Sequence, residues 1–111
     1  MKRIAATLLG ITVALSGCST TQSAKGQVAD GSETFTGSAT AHGSHRGSIK
    51  LTSSRGRLCT GNFEYVSDQE GKGMFNCSDL ESGPFTFVST GGMHGTGSGT
   101  LGGKPFTFTV G

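Results

Sequence analysis

Cys59-Thr60-Gly61-Asn62-Phe63-Glu64-Tyr65 and Gly71-Lys72-Gly73-Met74-Phe75-Asn76-Cys77 place a glycine, an aromatic ring or a cysteine at every odd number. Such period-two alternation marks strands with one buried face. Residues 66–70 form the loop between the two runs. Setting Cys59 opposite Cys77 in an antiparallel pair puts Phe63 opposite Gly73 and Phe75 opposite Gly61. A ring lying over a cross-strand glycine covers main chain that the glycine leaves bare. A chain this rich in glycine can then still bury a core.

The same recipe recurs outward from this hairpin. Phe85 and Phe87 fall opposite Gly99 and Gly97 if residues 90–94 form a second loop. Upstream, Phe35, Gly37, Ala39 and Ala41 alternate with Thr34, Thr36, Ser38 and Thr40, and Ile49 and Leu51 follow. Downstream, Phe106, Phe108 and Val110 alternate with Thr107 and Thr109. The spacing predicts an all-β, antiparallel meander of about seven strands, closing as a small barrel or a strongly curled sheet. The aromatic pairs at 63/65, 85/87 and 106/108 hint at a repeated hairpin, but the chain is too short for a propeller or solenoid.

The N-terminus has a different character. Met1-Lys2-Arg3 is basic, residues 4–15 are mostly apolar and uncharged, and Ser16 and Gly17 are small. This is the layout of a secretory signal. Twelve apolar residues are too few to span a hydrocarbon core, which needs about 20 in a helix. Leu15-Ser16-Gly17-Cys18 resembles the lipobox of bacterial lipoproteins. The resemblance covers residues 1–18 and implies cleavage before Cys18, a diacylglyceryl group on its thiol and acylation of the new amine. Two or more acyl chains hold a protein to a bilayer where one is marginal. Ser19, where an aspartate would favour retention in the inner membrane, implies sorting to the outer membrane, facing the periplasm or the surface. Domain organisation follows: 1–17 signal peptide, 18–32 lipidated N-terminus and flexible tether, 33–111 β-meander domain.

Lys2 and Arg3 account for the whole net charge of +2, so the processed chain is balanced and lacks an electrostatic footprint for nucleic acid. Of three cysteines, Cys18 takes lipid. In an oxidising compartment the even remainder, Cys59 and Cys77, suggests a disulfide, in keeping with the proposed register.

From Phe63 onward the chain also resembles a small uncharacterised family of short bacterial proteins. The shared motifs are Gly-x-Gly-x-Phe-x-Cys at 71–77, Gly-Pro-Phe-x-Phe at 83–87 and Leu-Gly-Gly-x-Pro-Phe-x-Phe at 101–108. The resemblance implies no activity. In format the chain is similar to periplasmic lysozyme inhibitors, small disulfide-bearing barrels. Their Ser-Gly-x-x-Tyr type loop is missing, because the only tyrosine, Tyr65, follows Phe63 and Glu64.

Alternate loops of a meander share an end. Residues 42–46, 66–70 and 90–94 therefore gather His42, His45 and His94 with Asp68 and Glu70. Imidazoles with carboxylates are ligands for a divalent metal, although the spacing matches no known metal signature. With residues 18–32 as a tether, this cluster is expected to point away from the membrane. Arg55 and Arg57 read as a solvated turn, and Asp79 and Glu81 as residues that solvate another. Leu58, Met74 and Val88 fall on the outer, otherwise polar face and mark a possible partner surface. Ser44 and His45 are adjacent, no Gly-x-Ser-x-Gly elbow occurs, and neither glycine pair opens a helix, so catalytic and phosphate-binding readings lack support. The expectation is a non-enzymatic envelope lipoprotein, without cofactor, that meets the membrane through lipid on Cys18 and acts as a structural or interaction module. The alternatives are a metal-binding periplasmic domain and a lysozyme-inhibitor-like protein.

Overall fold

Each hairpin hands its rings to the glycines of the next, and the sheet closes on itself. The computed structural model describes residues 19–92 and 94–111. Its strands are β1 (Ser19–Val28), β2 (Thr34–His42), β3 (Arg46–Ser53), β4 (Leu58–Tyr65), β5 (Glu70–Cys77), β6 (Ser82–Gly91), β7 (His94–Leu101) and β8 (Lys104–Val110). They pair antiparallel in sequence order, and β8 returns to β1 to complete a closed barrel.

The expected registers are all present. Cys59 faces Cys77, Phe63 faces Gly73 and Phe75 faces Gly61. Phe85 faces Gly99 and Phe87 faces Gly97. The pattern extends to β8, where Phe108 faces Gly97 on one side and Gly26 on the other. A register shift between Ser89 and Gly91 marks a bulge in β6. A disulfide joins Cys59 and Cys77 across β4 and β5.

Two expectations need correction. The strands number eight, and residues 19–28 are not a tether but the closing strand, so the domain begins at Ser19 rather than Glu33. The physical reason lies in the inward positions of β1. Gln22, Ala24, Gly26 and Val28 face inward, none is aromatic, and Gly26 makes room for Phe35 of β2 and Phe108 of β8, which face it on either side. A Cβ on Gly26 would stand 2.8 Å from the Thr107 carbonyl oxygen and 3.0 Å from Phe108 Cβ. A strand that makes room for its neighbours' rings shows no apolar alternation of its own. Cys18 and the proposed signal peptide 1–17 lie outside the described residues.

Rings fill the interior. Phe75 is fully buried, with its centroid 4.4 Å from Phe85, 5.3 Å from Phe106 and 5.9 Å from Phe108. Burial of each such ring contributes roughly 1.5–3 kcal/mol, and tilted or edge-on ring pairs add about 0.5–1.5 kcal/mol. The outer wall is threonine- and serine-rich, with Thr34, Thr36, Thr107 and Thr109 exposed. A barrel that crosses a membrane needs the opposite arrangement, an apolar band outside.

Candidate functional site

The chain direction fixes which turns share an end. At one end, here the mouth, lie the β2–β3, β4–β5 and β6–β7 turns. At the other lie the β1–β2, β3–β4, β5–β6 and β7–β8 turns. Ser19 pairs with His42, so β1 starts at the mouth. The two histidine-bearing turns therefore sit at the end where β1 begins, at Ser19, and not, as the sequence suggested, at the end away from the N-terminal segment. One strand more than expected reverses the direction.

The mouth is an open depression of about 720 Å³ lined by Thr20, His45, Tyr65, Asp68, Gln69 and Thr90, among others. Tyr65 is half-buried and packs edge-on against Phe63 (centroids 5.8 Å apart) and Phe87 (6.5 Å). Its backbone N–H donates to the His45 carbonyl at 2.7 Å, which ties the β2–β3 turn to β4. The Ser67 hydroxyl accepts the N–H of Glu70 at 3.1 Å and shapes the neighbouring turn.

The histidines share this end but not a site. His45 lines the depression. His42 stands on the outer wall, with Nε2 3.0 Å from the Ser48 hydroxyl. The His94 ring lies close over Gly111. β1 and β8 separate His42 on β2 from His94 on β7, three inter-strand steps or roughly 14 Å around the wall. Metal ligands must all lie within about 2.0–2.2 Å of one ion. Among the described residues no three His, Cys, Asp or Glu side chains converge to hold one. The His42–Ser48 contact is at the distance of a nucleophile and its base. It lies on an exposed convex wall, and no carboxylate among the described residues bonds the imidazole to orient it.

The opposite end holds a charged cluster that sequence reading missed. Arg57 reaches into the barrel end, where Nε and Nη2 donate to the two carboxylate oxygens of Glu33, each at 2.8 Å. Nη1 donates to Asp79 Oδ2 at 3.0 Å and to Glu81. The Arg57 Cζ lies 5.9 Å from the centroid of Phe35, so the guanidinium closes the core from below. Glu33 is only 4 % exposed. Hydrogen bonds from Arg57 hold its carboxyl below the usual carboxylate range, against the opposing effect of burial. The Arg57 guanidinium is pushed further toward its charged form, chiefly by Glu33. Asp79 is lowered by the Glu81 backbone N–H and then by Arg57. The Ser53 hydroxyl accepts the backbone N–H groups of Arg55 and Arg57 and fixes this turn. Arg57 is thus a half-buried plug, whereas Arg55 is the exposed residue of that pair.

The apolar residues on the wall do not form one patch. Met74 lies between Asn62 and Pro84, Val88 between Glu70 and Thr96, and Leu58 beside Thr52. Each is exposed, and apart from Pro84 beside Met74 these cross-strand neighbours are polar or charged.

No protein-family model matches the sequence, and no curated protein matches it. Among solved structures, the chain is similar to a de novo designed fluorescence-activating β-barrel. That likeness has a TM-score of 0.63 and 16 % identity, and covers 81 % of this chain and 88 % of the designed one. At that identity it shows the fold, a small closed antiparallel barrel.

Proposed function

We propose that this protein is a bacterial envelope lipoprotein, held in the outer membrane by acyl chains on Cys18, whose barrel acts through its surface and not by turnover. The filled interior is the observation that carries this reading. Phe35, Phe75 and Phe106 are among the most deeply buried side chains, and rings rather than convergent polar groups occupy the lumen. The most strongly bonded charges form a plug in which one guanidinium, Arg57, bridges three carboxylates. The polar wall suits a barrel that stands in water beside a bilayer.

The designed barrel is a fluorescence-activating one, which raises a small-molecule reading. The rings that close this lumen disfavour it, and the mouth is an open depression at the barrel end, outside that ring-filled core. Metabolic labelling tests the anchor. Expression of the full chain in a bacterium with labelled palmitate labels the protein, and Cys18→Ser abolishes both label and membrane fractionation. An unlabelled, freely soluble wild-type product contradicts the reading. Crosslinking in the intact envelope then identifies what the surface touches.

A further inference from the structure

We infer that the mouth of the barrel stands directly on phospholipid headgroups, with the Arg57 end directed into the aqueous space. The inference rests on the lipid anchor proposed at Cys18 and goes beyond it, because an anchor alone fixes no orientation. A 14-residue coil would give a mean reach of roughly 20 Å and let the domain tumble. The coil is not there. Ser19, peptide-bonded to Cys18, is already paired with His42 in the barrel wall. Consecutive Cα atoms are about 3.8 Å apart, so with Ser19 at the mouth rim, acyl chains on the preceding residue would tether the barrel by that rim. The strands run from that rim to the far end. Eight residues at about 3.3 Å each, tilted by about 40°, separate the two ends by roughly 20 Å.

The chemistry of the rim fits a headgroup layer. Short polar side chains, Ser44, Ser67 and Thr90, surround the depression with His45 and Asp68. Val66, 57 % exposed on the β4–β5 turn, adds a small apolar contact. Tyr65 lines the depression with its ring against the core, and an aromatic body with a polar tip suits the boundary between apolar and wet surroundings. The threonine-rich wall opposes deeper insertion. A soluble partner would then reach the outer wall and the far turns, where Leu80 is 94 % exposed and carries φ +74°.

The test uses lipidated full-length protein in phosphatidylethanolamine–phosphatidylglycerol vesicles doped with headgroup-nitroxide lipid. Ser44→Cys at the mouth and Arg55→Cys at the far end each carry a fluorophore on the new thiol. Both sites are exposed. The expected result is co-flotation of both variants, with fluorescence at position 44 quenched several-fold more than at position 55. Equal or reversed quenching in floating protein overturns the orientation and leaves the anchor standing. Failure to float overturns both. Amide exchange on unlabelled wild-type protein needs no substitution. Vesicle binding is expected to slow exchange at residues 67–69 and leave 55–56 unchanged, and the reverse overturns the inference.

Discussion

Gly83 lies so close to Thr100 that a Cβ built on it would stand 1.6 Å from the Thr100 carbonyl oxygen and 2.6 Å from its carbonyl carbon. Both obstacles are backbone, so a rotamer change relieves nothing. Gly83→Ala must push β6 and β7 apart. The expected cost is about 1–3 kcal/mol, as for other overpacked interiors. Gly71 gives the contrast, since a Cβ there meets nothing nearer than 3.4 Å. Gly71→Ala is expected to be neutral or to stabilise by about 0.4–1 kcal/mol through the unfolded chain. Chemical denaturation of the two variants tests this difference, and equal losses would contradict the packing described.

The Cys59–Cys77 bridge spans 18 residues of sequence. By loop-closure entropy it contributes on the order of 3 kcal/mol, a large share for a domain of this size. The double variant Cys59→Ala/Cys77→Ala is expected to lose about that much, with reduction of the wild type losing a similar amount. Free thiols in the oxidised wild-type protein would contradict the pairing.

The Arg57 plug makes an acid-dependent contribution. Glu33 has a folded pKa below its ordinary value of 4.5, so folding favours its ionised form. The stabilisation is complete above about pH 4.5 and drains as pH falls through the depressed native pKa. Arg57 stays charged throughout and adds no slope in this window. Glu33→Gln is expected to flatten the stability-versus-pH curve below pH 4.5 and to lower stability near neutrality. Arg57→Met strands the buried carboxylate at a cost of about 3–5 kcal/mol, which the added Glu33→Gln change partly recovers. Urea midpoints at several pH values read out both effects.

Fold class and register were legible in the sequence because each ring announces its glycine partner two-residue step by two-residue step. The plug was legible too, although charge was read as exposure. Glu33, Arg57 and Glu81 lie two residues before the inward-facing Phe35, Cys59 and Gly83, so parity alone points them into the barrel end. Nothing comparable marked β1. Its inward residues yield space to Phe35, Phe106 and Phe108, and a strand selected for smallness looks like a linker. Missing it reversed the expected direction of the histidine turns. Sequence spacing brought those histidines to one end, but it carried no information on which wall each side chain would face.

The account turns on β1 as the strand that closes the barrel and carries the chain back to the mouth. Amide hydrogen exchange over residues 19–28, read against β4 and β5, tests it most directly. Closure predicts protection of the ladder amides of β1 that face β2 and β8, disappearing only with global unfolding. Exchange at the rate of an unstructured peptide across this whole stretch would leave the sheet open between β8 and β2, and would remove both the closed barrel and the orientation drawn from it.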